Sequence, residues 1–283
     1  MSPRLRTALS AALIALSCLL VPFGALAAWA AYGLADTGRY VHAMAPLAGD
    51  PAVRDAVADT VTDAVGDGLA RELRVEGLGR PQLRDAVRSF TATAAFRAGW
   101  DQANRTTHGA VLRALHGEAP GPVTVDLAPV AAGVREQLAA DGVPFARYVP
   151  VTHREVAVVP AGELARMREG FRALEVAAFW LPSAAAVLAL SGIAVAACRR
   201  RAVTATALGT ALGGALLGVA VAVGRHLTVT DLPAEVSTAA AGAVYDALTA
   251  TLRTVSWLLL GLGLTVAGAA RLTGYAGRSR RAP

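Results

Sequence analysis

The chain has 283 residues, of which 54% are hydrophobic but only 5% aromatic, and its formal net charge is +6. The apolar content comes from Ala, Val, Leu and Gly, which is typical of membrane helices with small residues at their contacts and not of an aromatic-rich soluble core. The excess arginine lies in short segments beside apolar runs; this indicates membrane topology and argues against a nucleic-acid-binding domain, which would need a basic face. These arginines are Arg4, Arg6, Arg199, Arg200, Arg201, Arg271, Arg278, Arg280 and Arg281.

Residues 7–31 form the first apolar run, after a short polar segment of residues 1–6. A run of about 25 residues is long enough to cross a bilayer at 1.5 Å per residue. Ala25-Leu26-Ala27 also fits a signal-peptide cleavage site, which leaves a cleaved N-terminus as the alternative. We favour an uncleaved anchor because the apolar run is longer than a usual signal core and continues past that site.

A polar domain is expected over residues 32–171. Asp50 and Pro51 predict the start of its first long helix, with Asp as the cap and Pro at the first helical position. An apolar residue then recurs every four positions, which predicts one buried stripe. The stripe consists of Val53, Val57, Val61, Val65, Leu69 and Leu73.

A second helical region is predicted from Pro81 to His116. Unbroken, it would be about 50 Å long, which is too long for a small domain. We therefore expect a break near Gly99 or Gly109, where the sequence has residues that weaken a helix.

The pattern changes after Pro122. Val123, Val125 and Leu127 alternate with polar residues, as in a half-buried strand, and a second strand is predicted over 152–159. A helix between them makes a small βαβ-like unit, which predicts that the polar domain is α+β.

One long helix is predicted from Pro160 to Arg201, leaving the polar domain and crossing the bilayer, with a kink at Pro182. Its apolar residues follow a spacing of three and four, which is the seam of a packed helix pair. We expect the seam to pack on the chain's own first polar helix; a homodimer seam is the alternative. The seam residues are Leu164, Met167, Phe171, Leu174, Ala178 and Leu181.

Two further spans follow. The first carries the glycine pairs Gly209/Gly213 and Gly214/Gly218, a spacing that permits close helix contact. Before the last span, an amphipathic helix is expected to dock on the polar domain and to continue into the membrane. Its apolar positions are Val236, Ala240, Val244, Leu248 and Leu252.

The expected fold is therefore a mainly α, four-helix transmembrane protein with an extracytoplasmic α+β domain. Arg199, Arg200 and Arg201 anchor the central loop, and the positive-inside rule places them and both termini in the cytoplasm of a multi-pass cell-membrane protein. In chain order the segments are a cytoplasmic N-terminus (1–6), span 1 (7–31), the extracytoplasmic domain (32–171), span 2 (172–198), a cytoplasmic loop (199–202), span 3 (203–224), an extracytoplasmic loop (225–253), span 4 (254–270) and a cytoplasmic tail (271–283).

No catalytic, cofactor or metal site is predicted. Asp36-Thr37-Gly38 matches the aspartic-protease triplet, but a second copy is lacking, so a helix cap is the simpler interpretation. Four aspartates recur every four residues and could attract a cation, although a regular helix spreads them too far apart. The histidines lack a metallohydrolase spacing. These two sets are Asp55, Asp59, Asp63 and Asp67, and His42, His108, His116 and His153.

The segments 36–53, 100–108 and 123–127, together with the four-span layout, resemble actinobacterial multi-pass integral membrane proteins of uncharacterised function. The resemblance implies a location and a layout but no activity. It also implies that four residues of one helix share a neighbourhood, as a packing and capping cluster or, alternatively, as a ligand or partner site. They are Trp100, Asn104, Arg105 and His108.

The expected role is a non-enzymatic scaffold, sensor or partner-binding subunit of the bacterial cell envelope. The partners expected are the lipid bilayer and either a second copy of the chain or another envelope protein, with no nucleic acid. A membrane component of a transport system is the alternative, and a membrane-anchored enzyme comes third.

Overall fold

The computed structural model describes residues 2–73, 80–117, 123–126, 139, 155–159, 161–233 and 236–279. This part of the chain is mainly helical. It divides into two compact units, which we call the span unit and the polar unit. The span unit contains Met1–Ala35, Phe171–His226 and Thr249–Pro283, and the polar unit contains Asp36–Gly170 and Leu227–Leu248.

The described elements follow in chain order. They are α1 (Pro3–Ala28), a π-helical segment (Trp29–Leu34), α2 (Thr37–Met44), a 3-10 turn (Ala45–Gly49), α3 (Pro51–Leu73), α4 (Arg80–Thr91), α5 (Ala94–His116), β1 (Val123–Asp126), β2 (Glu155–Val159), α6 (Ala161–Val195), α7 (Arg199–Thr230) and α8 (Thr238–Ser279).

Four helices in the described part of the chain are long and apolar enough to cross a membrane. They are Arg4–Leu34, Ala165–Val195, Arg199–Thr230 and Thr238–Leu272, with mean hydropathies of 2.3, 1.9, 1.9 and 1.6. Each is longer than the roughly 20 residues that are needed to cross the hydrocarbon core of a bilayer, so each helix extends beyond that core. The prediction of four spans is confirmed at the level of helix length and composition.

These four helices also expose large apolar side chains that a water-soluble protein would bury. Trp257 is 70% exposed and Leu190 is 69% exposed. Such an extended apolar surface is the surface that lipid covers. Other members are Leu16, Leu19, Phe23, Trp180, Leu212, Leu216, Leu258 and Leu262.

The prediction of one unbroken helix from Pro160 to Arg201 is wrong at its end. The helix stops at Val195, and α7 begins at Arg199. The Cys198 carbonyl accepts from the Ala202 amide at 3.2 Å, which opens the first turn of α7. A bend is needed here because the chain must reverse before it crosses again.

Helix α7 contacts α1 through one of its glycine pairs. A methyl group built on Gly213 would lie 3.3 Å from Cδ of Pro22, and one built on Gly209 would collide with Sγ of Cys18. The side chains of α1 therefore pack directly against these two glycines, which lets the two helices approach closely. The predicted role of Gly209/Gly213 as a helix contact is confirmed.

The second glycine pair faces the other neighbour, α8. A methyl group on Gly214 would lie 2.8 Å from the Ser256 carbonyl oxygen, and one on Gly218 would lie 2.7 Å from Oγ of Ser256. Helix α8 reciprocates at Gly263, where a methyl group would lie 2.7 Å from the Ala211 amide nitrogen. Helix α7 therefore packs between α1 and α8.

Helix α1 is joined to α6 by hydroxyl groups. Oγ of Ser10 donates to the Gly192 carbonyl at 2.7 Å, and Oγ of Ser17 donates to the Ala185 carbonyl, also at 2.7 Å. Both serines are buried. Buried hydroxyls of this kind hold membrane helices together because lipid offers them no other partner.

Arginines from two helices cap the ends of their neighbours within the span unit. Nε of Arg6 donates to the Val195 carbonyl at 3.3 Å. Nη2 of Arg200 donates to the carbonyls of Ala270 and Arg271. The start of α1, the junction between α6 and α7, and the end of the apolar run of α8 therefore lie at the same end of this unit.

The core of the polar unit gathers around Met44, Leu47 and Val53. The first turns of α8 pack against this core, which confirms that the predicted amphipathic helix docks on the polar domain and continues into an apolar run. The α8 residues in this contact are Ala240, Ala243, Val244, Ala247 and Leu248, whereas Val236 is exposed.

Helix α3 begins where the sequence predicts. Oδ1 of Asp50 accepts from the amides of Ala52 at 2.9 Å and Val53 at 3.3 Å. The predicted stripe is only partly right, because Val61 is exposed. Repeats every four residues drift around a helix with 3.6 residues per turn, so the stripe leaves the core within two turns. The side chains of Val65, Leu69 and Leu73 lie outside the described ones.

The second helical region is broken, but not at a glycine. Helix α4 ends at Thr91, and α5 begins at Ala94 with Thr93 as its cap, whose Oγ1 accepts from the Phe96 amide at 3.2 Å. The predictions of a break near Gly99 or Gly109 are wrong. The hydroxyl cap competes with the helical hydrogen bonds and ends the helix here, whereas the glycines do not weaken those bonds enough to break it.

Two strands form where alternation predicts them, and they pair antiparallel in the register Val125↔Val156. The βαβ-like unit is therefore wrong, since that motif requires parallel strands. Strands of four and five residues do not support an α+β class for the polar unit. The helix predicted around 130–138 lies outside the described residues.

Candidate functional site

Helix α5 turns one face toward the core of the polar unit. Trp100 packs against this core, and its Nε1 donates to the Met44 carbonyl at 2.9 Å. Nδ2 of Asn104 donates to the Trp100 carbonyl at 2.9 Å, within the same helix. Two members of the predicted cluster therefore serve packing and hydrogen bonding.

His108 continues this face one turn later. Its ring stacks on Tyr40, with centroids 4.1 Å apart, and its Nδ1 lies 3.1 Å from Oγ1 of Thr37. Burial raises the pKa of Tyr40, so the phenol stays neutral at physiological pH. The contact ties α2 to α5 and adds to the core.

Arg105 lies on a different face of α5, about 140° around the helix from Trp100 at 100° per residue. It is exposed. The predicted cluster therefore divides into an inward set, Trp100, Asn104 and His108, and one outward arginine.

Arg105 lines an open groove of about 540 Å³, which we call the α5 groove. One edge is Thr37 of α2. The remaining lining residues follow one face of α5: Arg105, Thr106, Gly109, Leu112, Arg113 and His116. None of the lining residues is acidic.

The floor of the α5 groove is Gly109. A methyl group built there would meet nothing within 4 Å. Arg105 and Arg113 lie one helical turn before and after it, each about 6 Å away along the axis. Sequence reasoning treated Gly109 as a helix breaker and so missed this arrangement. The Arg-x3-Gly-x3-Arg spacing is the signal that shows it.

The first two aspartates of the repeat on α3 face α4, and the side chain of Asp67 lies outside the described ones. Asp55 pairs with Arg88 and Asp59 with Arg84, both at 2.5 Å. The hydrogen bond that Arg88 donates to Asp55, followed by the negative charge of that carboxylate, raises the pKa of Arg88. Because a raised arginine pKa only widens the range in which the side chain is charged, this pair holds throughout the physiological range.

The remaining predicted residues are dispersed. Oδ1 of Asp36 accepts from the Arg39 amide at 2.7 Å, so the Asp36-Thr37-Gly38 triplet is a helix cap. Nδ1 of His116 lies 2.8 Å from the Leu112 carbonyl. Among the described residues, no three His, Cys, Asp or Glu side chains are placed to hold one metal ion. His153 lies outside the described residues.

The chain has the long apolar helices, the close glycine contacts and the buried serines that are typical of multi-pass helical membrane proteins. No family model, curated protein or solved structure matches the chain.

Proposed function

We propose that this chain is an integral membrane protein of the bacterial cell envelope with both termini in the cytoplasm and the polar unit outside the cell membrane. Arginine side chains cap helix ends at one end of the span unit, and this supports the orientation. Arg6 donates to the Val195 carbonyl, and Arg200 donates to the Ala270 carbonyl. The positive-inside rule assigns an arginine-rich end to the cytoplasm.

We further propose a non-enzymatic role as a partner-binding or sensing subunit. The α5 groove supports this role, because it is open and its lining includes the exposed side chains of Arg105, Thr106 and Arg113. An open surface that presents such groups is suited to binding a partner. The partner is either a second copy of this chain or another component of the envelope.

Reporter fusions test the orientation. Alkaline phosphatase, which is active only outside the cytoplasm, is inserted after Gly117 in one protein and fused to the C-terminus in another. The proposal predicts activity from the first and none from the second, with both proteins resisting extraction by alkaline carbonate. The reverse activities, or release by carbonate, would contradict it.

Photo-crosslinking tests the role. A photoreactive residue replaces Leu112 in the α5 groove or, as the control, Gly99 on the same helix, where nothing lies within 4 Å of a built methyl group. We expect a discrete adduct from position 112 only. A mass twice that of the chain would identify a second copy as the partner. Equal adducts from both positions, or none from either, would contradict a binding role for this face.

A further inference from the structure

We propose that the α5 groove binds a phosphate group, carried by a phospholipid headgroup or free in solution. The site is the surface above Gly109, between the guanidinium groups of Arg105 and Arg113. This inference rests on the proposed role of the polar unit as a binding module, and it names the chemical class of the ligand.

The spacing of the charges is the first argument. Arg105 and Arg113 are about 12 Å apart along the helix axis, with Gly109 midway. Because side chains of an α-helix tilt toward its N-terminus, Arg113 leans toward Gly109, and Arg105 bounds the other end of the same face. Guanidinium groups form paired hydrogen bonds with phosphate oxygens.

The second observation is that Gly109 leaves the floor of the α5 groove without a side chain. Gly109 carries no side chain, and nothing in the structure lies within 4 Å of the position that one would take. Glycine in the interior of an exposed helix costs about 1 kcal/mol relative to alanine. Gly99 of the same helix is equally open, so an open position alone does not mark a site. Gly109 differs because an arginine stands four residues before it and four residues after it.

The partners of the two arginines are the third argument. Within the described part of the chain, Arg105 and Arg113 have no hydrogen-bond or ion-pair partner. This contrasts with Arg84 and Arg88 of α4, which both bind aspartates. Arg113 lies in the last turn of α5, where a cation also stabilises the helix dipole. Arg105 lies too far from that end to act in this way.

The number of donors favours phosphate over carboxylate. Arg105 and Arg113 supply two guanidinium groups, one on each side of Gly109, and Thr106 adds a hydroxyl group to the lining. A tetrahedral phosphate accepts hydrogen bonds from several sides, whereas a carboxylate accepts mainly in one plane.

Binding is measured with the full chain in nanodiscs. One set contains only phosphatidylcholine and is titrated with inorganic phosphate; a second contains phosphatidylglycerol, and bound lipid is counted by native mass spectrometry after release into detergent. Retention of phosphatidylglycerol identifies the headgroup as the source. Saturable binding of free phosphate identifies a soluble ligand.

Two variants remove the site in different ways. Arg105→Gln with Arg113→Gln removes the charges, and Gly109→Leu fills the floor from a position whose Cβ meets nothing within 4 Å. We expect each to weaken binding at least tenfold. The matched controls are Arg97→Gln and Gly99→Leu. The Arg97 guanidinium donates to the Ala92 carbonyl, and Gly99 has surroundings as open as those of Gly109. Both controls should bind as the unchanged chain does.

The inference is overturned if the unchanged chain binds neither phosphate source at millimolar concentration, or if Gly109→Leu binds as tightly as Gly99→Leu. Circular dichroism of each variant verifies that α5 is folded, and Gly→Leu changes favour the helix in both positions. A negative result here leaves the proposed orientation standing, because the reporter fusions test that separately.

Discussion

Gly214 of α7 lies so close to Ser256 of α8 that a methyl group on the glycine would stand 2.8 Å from the serine carbonyl oxygen. The Leu260 amide nitrogen would be 2.9 Å away. Both obstacles are backbone atoms, which cannot rotate aside. The contact between these two helices therefore depends on a hydrogen atom at position 214.

Gly214→Ala is expected to lower the free energy of unfolding by about 1–3 kcal/mol, since the helices must separate to admit the methyl group. Gly261→Ala on α8 is the control, because nothing lies within 4 Å of its methyl position. The measurement is unfolding in mixed micelles by titration with sodium dodecyl sulfate. Equal effects of the two changes would contradict the close contact.

The hydroxyl of Ser17 joins α1 to α6 by its 2.7 Å bond to the Ala185 carbonyl. Ser17→Ala should cost about 0.6 kcal/mol, which is the average of such bonds in membranes. Ser183→Ala is the control, since that hydroxyl bonds within its own helix to the Phe179 carbonyl. The same titration compares them. A larger loss for Ser183→Ala would argue against the bond between the helices.

In the polar unit, Nε1 of Trp100 donates to the Met44 carbonyl. Trp100→Phe keeps an aromatic ring but removes the donor, so we expect a loss of about 1 kcal/mol in stability. Trp257→Phe, at a side chain that is 70% exposed, should change little. Thermal unfolding in detergent micelles distinguishes them. Unchanged stability of the Trp100 variant would show that the bond contributes nothing.

The cap at Asp50 gives a prediction for α3. Asp50→Ala removes the acceptor for the amides of Ala52 and Val53 and should cost about 1 kcal/mol. Asp50→Ser keeps a capping oxygen and should retain most of the stability. Chemical denaturation of the full chain measures both variants. The capping role of Asp50 would be refuted if the alanine and serine variants unfolded at the same denaturant concentration.

The sequence predicts what depends on local pattern. The cap at Asp50, the docking of α8 and the two glycine pairs all follow from spacing along a single helix. The sequence does not predict the partner of each face. That Gly209/Gly213 face α1 while Gly214/Gly218 face α8 depends on the order in which helices pack, which no single helix encodes.

Some outcomes have local causes, such as the Thr93 cap that divides the second helical region, whereas others depend on elements far apart in the chain. The spacing of Asp55 and Asp59 predicts no cation site, but it does not reveal their partners either, which are Arg88 and Arg84 of the next helix. Likewise, Arg105 lies about 140° around α5 from Trp100, and alternation along each strand does not give the antiparallel direction in which β1 and β2 pair.

The orientation of the chain in the membrane is the central claim, and thiol labelling tests it most directly. Cys198 is exposed in the bend before α7, and Gln102 is exposed on α5. Two variants are compared: Cys18→Ala, which leaves Cys198 alone, and Cys18→Ala with Cys198→Ser and Gln102→Cys. A membrane-impermeant maleimide is applied to intact cells and to inverted vesicles.

The account predicts that position 102 reacts in intact cells and that Cys198 reacts only in inverted vesicles. Labelling of Cys198 from outside the cell, or of both positions from the same side, would contradict it.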